Sequence, residues 1–226
     1  MYAFLTGPML WVALLVFFGG LAARVVWYVR GLSWQLDRVA YGPHLAHGLK
    51  GGIHSALKWM LPFGTHSWRE QPYFAVAFFL FHIGAVLVPL FLAGHNIILA
   101  ERFGFSLPVL PMGVADALTV AAIIGLVMIA LRRIALTEVR ILTTAYDWFI
   151  LAVSAAPFVT GFVARLHVAN YDTWLLAHII TGELLLIVAP FTKLSHIVLF
   201  FMSRGQLGMD YAIKRGGYSR GTAFPW

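Results

Sequence analysis

Four histidines lie within strongly apolar stretches of the sequence, where an imidazole needs a chemical reason to be present. They are His82, His95, His178 and His196. The last two bound the stretch HIITGELLLIVAPFTKLSH and stand eighteen positions apart. On a continuous helix, eighteen residues make about five turns, so both imidazoles would point the same way, roughly 27 Å apart along the axis. This spacing favours iron ligation near each surface of a membrane, with haem as the bound group. The alternative is a pair of polar residues that line a contact between helices.

The other two histidines belong to the stretch FHIGAVLVPLFLAGHNII, which begins at Phe81. If the two stretches form antiparallel helices, His82 lies at the depth of His196, and His95 lies at the depth of His178. Helical bundles build cofactor sites from side chains on facing helices, and two levels of histidines predict two bis-histidine haem sites. An iron with an imidazole on each axial position favours electron transfer over oxygen binding. The pattern therefore predicts two haem b groups and an electron path across the bilayer.

The spacing of His82 and His95 complicates this prediction. They stand thirteen positions apart. On an ideal helix this spacing leaves their imidazoles about 140° apart and roughly 20 Å apart along the axis. Pro89 lies midway between them, and a kink or local unwinding there would re-aim His95. If the helix does not bring His95 to the outer site, His167 is the reserve ligand.

Five apolar segments position these histidines. The chain has 226 residues, of which 61% are hydrophobic and 11% charged, and its mean hydropathy is +0.83. Such a composition, with apolar runs of about 20 residues, indicates membrane-spanning helices. The sequence predicts an all-α bundle of five transmembrane helices over residues 1–202 and a basic tail over 203–226. The spans are predicted at about 8–29, 73–99, 113–131, 146–164 and 174–202. In the loop over 30–72, the stretch LKGGIHSALKWMLPF predicts a short interfacial helix.

Lysine and arginine are distributed unevenly among the connections between the spans. One side carries Arg30, Arg38, Lys50, Lys58, Arg69, Arg132, Arg133, Arg140, Arg204, Lys214, Arg215 and Arg220. The other side carries Arg102 and Arg165. The positive-inside rule then predicts an N-terminus outside and a C-terminus in the cytoplasm. The net charge of +7 follows from this topology and needs no nucleic-acid partner. The chain has no cysteine, so any iron–sulfur cluster or c-type haem must lie on a partner subunit.

Further polar residues near the predicted haem levels are candidates for proton and quinone chemistry. Glu183 lies inside the fifth span, and a carboxylate in a membrane can relay a proton. Equally, it can be protonated and hydrogen-bonded to a neighbouring helix. At the outer end, Asn96, Glu101 and Arg102 can contact a quinone head-group, and the proline-rich connection after them can shape a pocket. Ordinary interfacial polar residues are the alternative.

The fifth span resembles the last helix of the respiratory nitrate reductase gamma subunit, a diheme b-type membrane cytochrome. The residues in that family's register are His178, Gly182, Pro190, Phe191, Lys193 and His196. The second span is similar through FHIG and through Gly94-His95, although the family's two histidines are closer together there. The resemblance covers residues 1–202. It implies two haem b groups, electron exchange with menaquinone at the outer haem, and a place in the bacterial cytoplasmic membrane.

The resemblance makes this chain an electron-transfer subunit of a membrane quinone oxidoreductase, whose partners carry iron–sulfur or multihaem cytochrome c centres. Its length and long 30–72 loop are similar to membrane subunits of transmembrane redox complexes in sulfate-reducing bacteria. They are similar also to cytochromes associated with dissimilatory sulfite and heterodisulfide reductases. Two alternatives stay open: a proton-coupled carrier with Glu183 and the four histidines as its relay, and a haem-free membrane anchor. The sequence shows no inverted repeat, which counts against the carrier.

Overall fold

The structure, a computed structural model, describes residues 1–32, 34–168 and 170–214, with side chains described outside 34–43 and 213–214. Its helices are α1 (Tyr2–Arg30), α2 (Trp34–Met60), α3 (His66–Glu70), α4 (Pro72–Phe91), α5 (Ala93–Phe103), α6 (Met112–Ala135), α7 (Thr137–Leu142), α8 (Ala145–Arg165), α9 (Tyr171–Val188) and α10 (His196–Lys214). No β-strand occurs within the described ranges. Helices α1, α4, α6, α8 and α9, the last extended by a 3₁₀ turn to Phe191, are long and apolar enough to cross a membrane. The predicted all-α class with five membrane-spanning helices is confirmed.

Local sequence signals set the ends of the third and fourth spans. Helix α6 follows Pro111, and its last turn contains Arg132 and Arg133, whose charges favour the helix C-terminus. Helix α8 begins after a capping box, in which the side chains of Thr144 and Asp147 each accept from the other's backbone N–H. The predicted spans 113–131 and 146–164 therefore lie within α6 and α8.

The fifth span differs from its prediction as one helix over 174–202. Helix α9 ends at Val188, and two short 3₁₀ turns follow, at Ala189–Phe191 and Lys193–Ser195. Pro190 cannot donate a backbone hydrogen bond, and Thr192 between the two turns is extended, with φ −124° and ψ −174°. His178 and His196 consequently lie on different helices, so the five-turn register that placed them on one face does not apply.

The segment after the fifth span and the loop over 30–72 are more helical than predicted. Helix α10 runs without a break through residue 202, so the predicted boundary between bundle and tail falls inside it. In the loop, α2 extends well beyond the predicted short helix and contains one non-helical residue, His44. The basic tail's last residues, 215–226, with Phe224, Pro225 and Trp226, lie outside the described residues.

The chain divides into two compact units, of which the first comprises residues 1–9 and 73–185. Small residues let its helices approach closely. A side chain at Gly84 would meet the Leu118 carbonyl and the Ala122 side chain, and one at Gly125 would meet the backbone of α4. Close approach of backbones is how helices gain packing energy where lipid removes the hydrophobic driving force. Ala122, Leu126 and Phe158 form the buried centre of this unit.

The second unit comprises residues 10–72 and the chain from Leu186 onward. In it, α2 packs antiparallel against α10, with Gly51, Gly52 and Ser55 facing Gly205 and Gly208. The guanidinium Nε of Arg24 in α1 donates to the Pro190 carbonyl at 2.7 Å. Gly20 lies directly beneath the Pro190 ring, where a Cβ would come within 2.6 Å of the ring's Cβ. Arg24 therefore hydrogen-bonds the backbone at the break in the fifth span.

Candidate functional site

The second span breaks one turn before His95. Pro89 has no N–H to donate to the carbonyl one turn earlier, and α4 ends two residues later at Phe91. Leu92 is extended, with φ −72° and ψ 136°, and α5 begins at Ala93. His95 lies in the first turn of α5, and its Nδ1–H donates to the Pro89 carbonyl at 3.0 Å. The prediction that a distortion at Pro89 re-aims His95 thus takes the form of a complete helix break.

The Asn96 side chain forms hydrogen bonds with the backbone at this break. Its side-chain amide donates to the carbonyls of Leu90, at 3.0 Å, and Leu92, at 3.2 Å. Its side-chain oxygen accepts from the Leu107 backbone N–H at 2.7 Å. The side chain is buried, being 3% exposed. Backbone groups at a helix break need other hydrogen-bond partners. Asn96 is a partner for two carbonyls at the break and for one backbone N–H in the connection after α5. These bonds assign Asn96 to the backbone and do not support its predicted contact with a quinone head-group.

His178 is positioned by the neighbouring span, α8. Its Nδ1–H donates to the Pro157 carbonyl at 2.9 Å. Gly161, one turn further along α8, faces the ring, since a Cβ there would lie 2.7 Å from Nδ1 and 2.8 Å from Cε1. The hydroxyl oxygens of Thr160 in α8 and Thr181 in α9 lie 3.2 Å apart and form a hydrogen bond between the two helices. The hydrogen bond to Pro157 therefore orients the ring of His178, and the absence of a side chain at Gly161 leaves room for it.

The two predicted outer histidines come together. The ring centroids of His95 and His178 are 6.0 Å apart, and the ring planes differ by 7°. In each ring the Nδ1–H is bonded to a backbone carbonyl, which leaves Nε2 as the nitrogen with the lone pair in the neutral form. A metal bound by two imidazoles at about 2 Å each would separate the ring centroids by roughly 6 Å. The centroid separation of the pair therefore matches the separation of two imidazoles on one metal.

Two glycines lie close to this pair in the chain. A Cβ at Gly94, adjacent to His95, or at Gly182, one turn after His178, would meet no atom within 4 Å. Both glycine positions therefore border open space in the described chain. Haem iron with two neutral imidazoles is therefore compatible with this arrangement, and His95 and His178 are the residues that would hold it.

The predicted inner pair, His82 and His196, shows the same local feature. The Nδ1–H of His82 donates to the Phe78 carbonyl at 2.8 Å, and that of His196 donates to the Lys193 carbonyl at 2.9 Å. The His82 ring also stacks on Phe78, with centroids 3.8 Å apart. His82 belongs to the first unit and His196 to the second, so their pairing stays a prediction.

His167, the reserve ligand, is engaged elsewhere. Its backbone has a positive φ of 51°, in the turn after α8. Its exposed ring stacks on Tyr171, with centroids 4.7 Å apart and planes 17° apart. The position that it was to fill beside His178 is taken by His95.

Glu183 is buried in α9 and 5% exposed. Among the residues that the structure describes, its Oε1 has no hydrogen-bond partner. A buried carboxylate oxygen without a hydrogen-bond partner is costly when the group is charged. The predicted hydrogen bond to a neighbouring helix is not seen for Oε1 in the described chain.

The polar residues at the predicted outer end have different contacts. Arg102 in α5 donates to the Thr6 carbonyl at 2.9 Å and is exposed, as is Glu101. Arg165 pairs with Asp116 at 3.3 Å, which joins α8 to α6. Of the predicted quinone contacts, Glu101 and Arg102 are therefore accessible, while Asn96 is not.

The histidines of the 30–72 loop do not converge. The His47 ring nitrogen Nε2 lies 3.2 Å from the Ala212 carbonyl, and His66 pairs with Glu70 at 3.5 Å. Burial, and then the charge of Lys58, hold the pKa of His54 below its ordinary value. Within the described part of the chain, no group of three or more His, Cys, Asp or Glu side chains is arranged to hold a metal ion.

Three residues of the outer site were not identified from the sequence in the roles that they have. Pro157 supplies the carbonyl that orients His178, Gly161 admits its ring, and Asn96 stabilises the break before α5. A proline or glycine in a span is a recognisable signal of special geometry. The partner of each residue, however, lies on another element.

Comparison with known proteins identifies a relative of equal length. The chain is 86% identical over 226 residues to a protein of Nitratidesulfovibrio vulgaris (strain Hildenborough), and the match covers 100% of both chains. That relative carries the description "Protein", which states no activity, ligand or partner. No family model and no solved structure matches the chain.

Proposed function

The chain belongs to the family of that Nitratidesulfovibrio vulgaris protein, and we propose that it is a diheme b-type cytochrome, the membrane subunit of a respiratory redox complex. It would carry electrons between a menaquinone pool and iron–sulfur or multihaem cytochrome c partner subunits. The similarity to the nitrate reductase gamma subunit supports this proposal through the histidine, glycine and proline register of the fifth span.

One observation carries the proposal: the parallel rings of His95 and His178, 6.0 Å apart, each held through Nδ1 by a backbone carbonyl. Two histidines packed only for structure have no need of parallel planes at the separation that suits two ligands of one metal. Two half-buried imidazoles that both keep an unprotonated Nε2 have the chemistry to ligate a metal. Haem supplies one-electron transfer when it is bound. The chain's own part is to orient the ligands and to exclude water.

His82 and His196 would hold the second haem. Each has its Nδ1–H bonded to a carbonyl three or four residues earlier in its own segment, which fixes the tautomer and the ring. The short-range bonds mean that each ring can be oriented by its own segment before the haem binds. The stacking of Phe78 on His82 further restricts that ring and contributes apolar surface.

The proposed setting is the bacterial cytoplasmic membrane, with the N-terminus outside and the C-terminus in the cytoplasm. It is supported by five apolar helices and by the lysine and arginine imbalance between their connections. His95 and His178 then belong to the outer haem. Electron exchange with quinone at that haem would involve Arg102 and Glu101, which are exposed on α5 beyond His95.

Glu183 gives a specific reason to consider the second candidate, a proton-coupled carrier. Its buried and unpartnered Oε1 would suit a proton relay. Within the first proposal, the same residue would exchange the proton that accompanies electron transfer. The third candidate, a haem-free anchor, leaves the arrangement of His95 and His178 without a purpose.

The test is the visible spectrum of the purified, dithionite-reduced protein, together with its haem content per chain. A b-type α-band with about two haems per chain is expected. His178→Ala should remove one haem and leave the other low-spin. His167→Ala is the matched control, because this histidine is exposed and stacks on Tyr171 outside the pair. Protein that folds without haem would reject the proposal and leave the carrier and the anchor.

A further inference from the structure

Helix α2 presents three distinct faces over its C-terminal part. The first face is buried and carries Gly48, Gly51, Gly52 and Ser55, and the last three of these contact α10. The second face is apolar and is formed by Leu45, Leu49, Ile53, Leu57 and Met60, each between 49% and 62% exposed. The third face carries Lys50, His54 and Lys58. At about 100° per residue, the apolar face covers roughly 120° of the helix, and the basic face follows directly beside it.

The apolar face is too regular to be chance exposure. Leu45, Leu49, Ile53 and Leu57 recur every fourth residue along about 18 Å of helix. Single exposed leucines are ordinary, but a contiguous stripe of large apolar side chains marks a surface that is covered in the native setting. Helix α2 is not among the five helices apolar enough to cross a membrane. Its apolar face must therefore be covered without the helix crossing the membrane.

The position of α2 in the chain keeps its C-terminal end near the bilayer. A segment that joins two consecutive spans begins and ends at the same membrane face. Helix α3 folds back on α2, because the Trp68 indole Nε1–H donates to the Trp59 carbonyl at 3.2 Å, and the next span begins at Pro72. Trp59 itself contacts Arg204, whose guanidinium carbon lies 4.0 Å from the ring centroid.

The charge of the segment identifies the kind of surface that it meets. Between residues 38 and 69 the sequence has Arg38, Lys50, Lys58 and Arg69, and no aspartate or glutamate. An amphipathic helix with an apolar face, a lysine-bearing flank and low overall hydropathy is typical of helices that lie in the interface of a membrane. Lysines beside the apolar face can place their ammonium groups among lipid phosphates while their carbon chains stay in apolar surroundings.

We propose that the C-terminal half of α2 lies flat on the bilayer, with its apolar face in the acyl boundary and Lys50 and Lys58 on the phosphates of anionic phospholipids. Helix α10 covers the opposite side of α2 through the glycine contact. The two helices then form a surface-bound pair. This inference does not depend on whether the chain binds haem.

The absence of cysteine makes a labelling test direct, since one introduced cysteine reports one position. Ile53→Cys, with Leu49→Cys and Leu57→Cys as repeats, is spin-labelled in the full-length protein in nanodiscs containing phosphatidylglycerol. The control is Glu101→Cys, which replaces an exposed polar residue on α5. We expect the labels on α2 to be accessible to oxygen and protected from a water-soluble nickel reagent, and the control label to show the reverse.

Two results would overturn the proposal. Accessibility to the nickel reagent at Ile53→Cys equal to that of the control would mean that the apolar face meets water. Protection from both reagents would mean that protein covers it, either a second copy or a partner subunit. The anionic part is tested with Lys50→Gln combined with Lys58→Gln. Oxygen accessibility at residue 53 should fall in these variants in phosphatidylglycerol nanodiscs, and an unchanged value would exclude a role for lipid charge.

Discussion

Replacement of Gly161 by alanine should weaken one haem site and leave the helix that carries it intact. The new Cβ would lie 2.7 Å from Nδ1 and 2.8 Å from Cε1 of His178. Carbon atoms pack at about 3.5 Å or more, so the imidazole would have to retreat by roughly 0.7 Å. The bond from its Nδ1–H to the Pro157 carbonyl, now 2.9 Å, would then be lost or badly bent. Helix α8 itself favours alanine over glycine by about 1 kcal/mol.

The expected size follows from these two costs. Loss of the hydrogen bond costs about 1 kcal/mol, and crowding a packed position costs about 1–3 kcal/mol. Their sum, about 2–4 kcal/mol, corresponds to haem binding at the outer site that is roughly 30- to 1,000-fold weaker. The second proposed haem site, at His82 and His196, should be unaffected. Gly113→Ala is the matched control, because a Cβ at Gly113 meets no atom within 4 Å.

The assay is haem content per chain, measured with the reduced spectrum and with the low-spin ferric signals in electron paramagnetic resonance. Gly161→Ala should approach one haem per chain on dilution or dialysis, while Gly113→Ala keeps two. If Gly161→Ala retains both haems as firmly as Gly113→Ala does, then His178 is not a ligand in the orientation seen. The assignment of the outer site would then be wrong even if the protein binds haem elsewhere.

Three further results are expected. Asn96→Leu removes three hydrogen bonds to the backbone, each worth about 1 kcal/mol. It should therefore lower the free energy of unfolding by about 3 kcal/mol and weaken haem binding at the outer site. An unchanged melting temperature would exclude a role for Asn96 at the helix break. Glu183→Gln should fold at least as well as the parent and keep both haems, because no partner of Oε1 is lost in the described chain, while quinol-dependent reduction of the haems slows; an unaltered rate would remove Glu183 from proton transfer. A reporter fused after Trp226 should be cytoplasmic and one inserted at Gly104 should be periplasmic, and the opposite result for either would reverse the inner and outer assignments.

The sequence by itself was sufficient for the number of spans and for the approximate limits of the third and fourth. Membrane helices are specified by apolar length alone, because lipid requires each segment to satisfy its own backbone hydrogen bonds. Residue counts also predicted a relative depth for each histidine, since rise per residue is constant along a helix. The prediction that His95 and His178 share a level was of this kind, and the structure brings the two rings together.

Only the tertiary structure decided where the helices break. The predicted angle between the imidazoles of His82 and His95 assumed one continuous helix, and so did the angle for His178 and His196. Both helices are interrupted. A break is tolerated when other groups hydrogen-bond the backbone there, and those groups come from elsewhere in the chain. At the break in the second span, the Leu90 and Leu92 carbonyls accept from Asn96 and the Phe91 carbonyl accepts from Leu110. At the break in the fifth span, the Pro190 carbonyl accepts from Arg24, 166 positions away. Local sequence marks a proline as a possible break, but partners contributed from other elements determine that the chain breaks there and how the next helix is aimed.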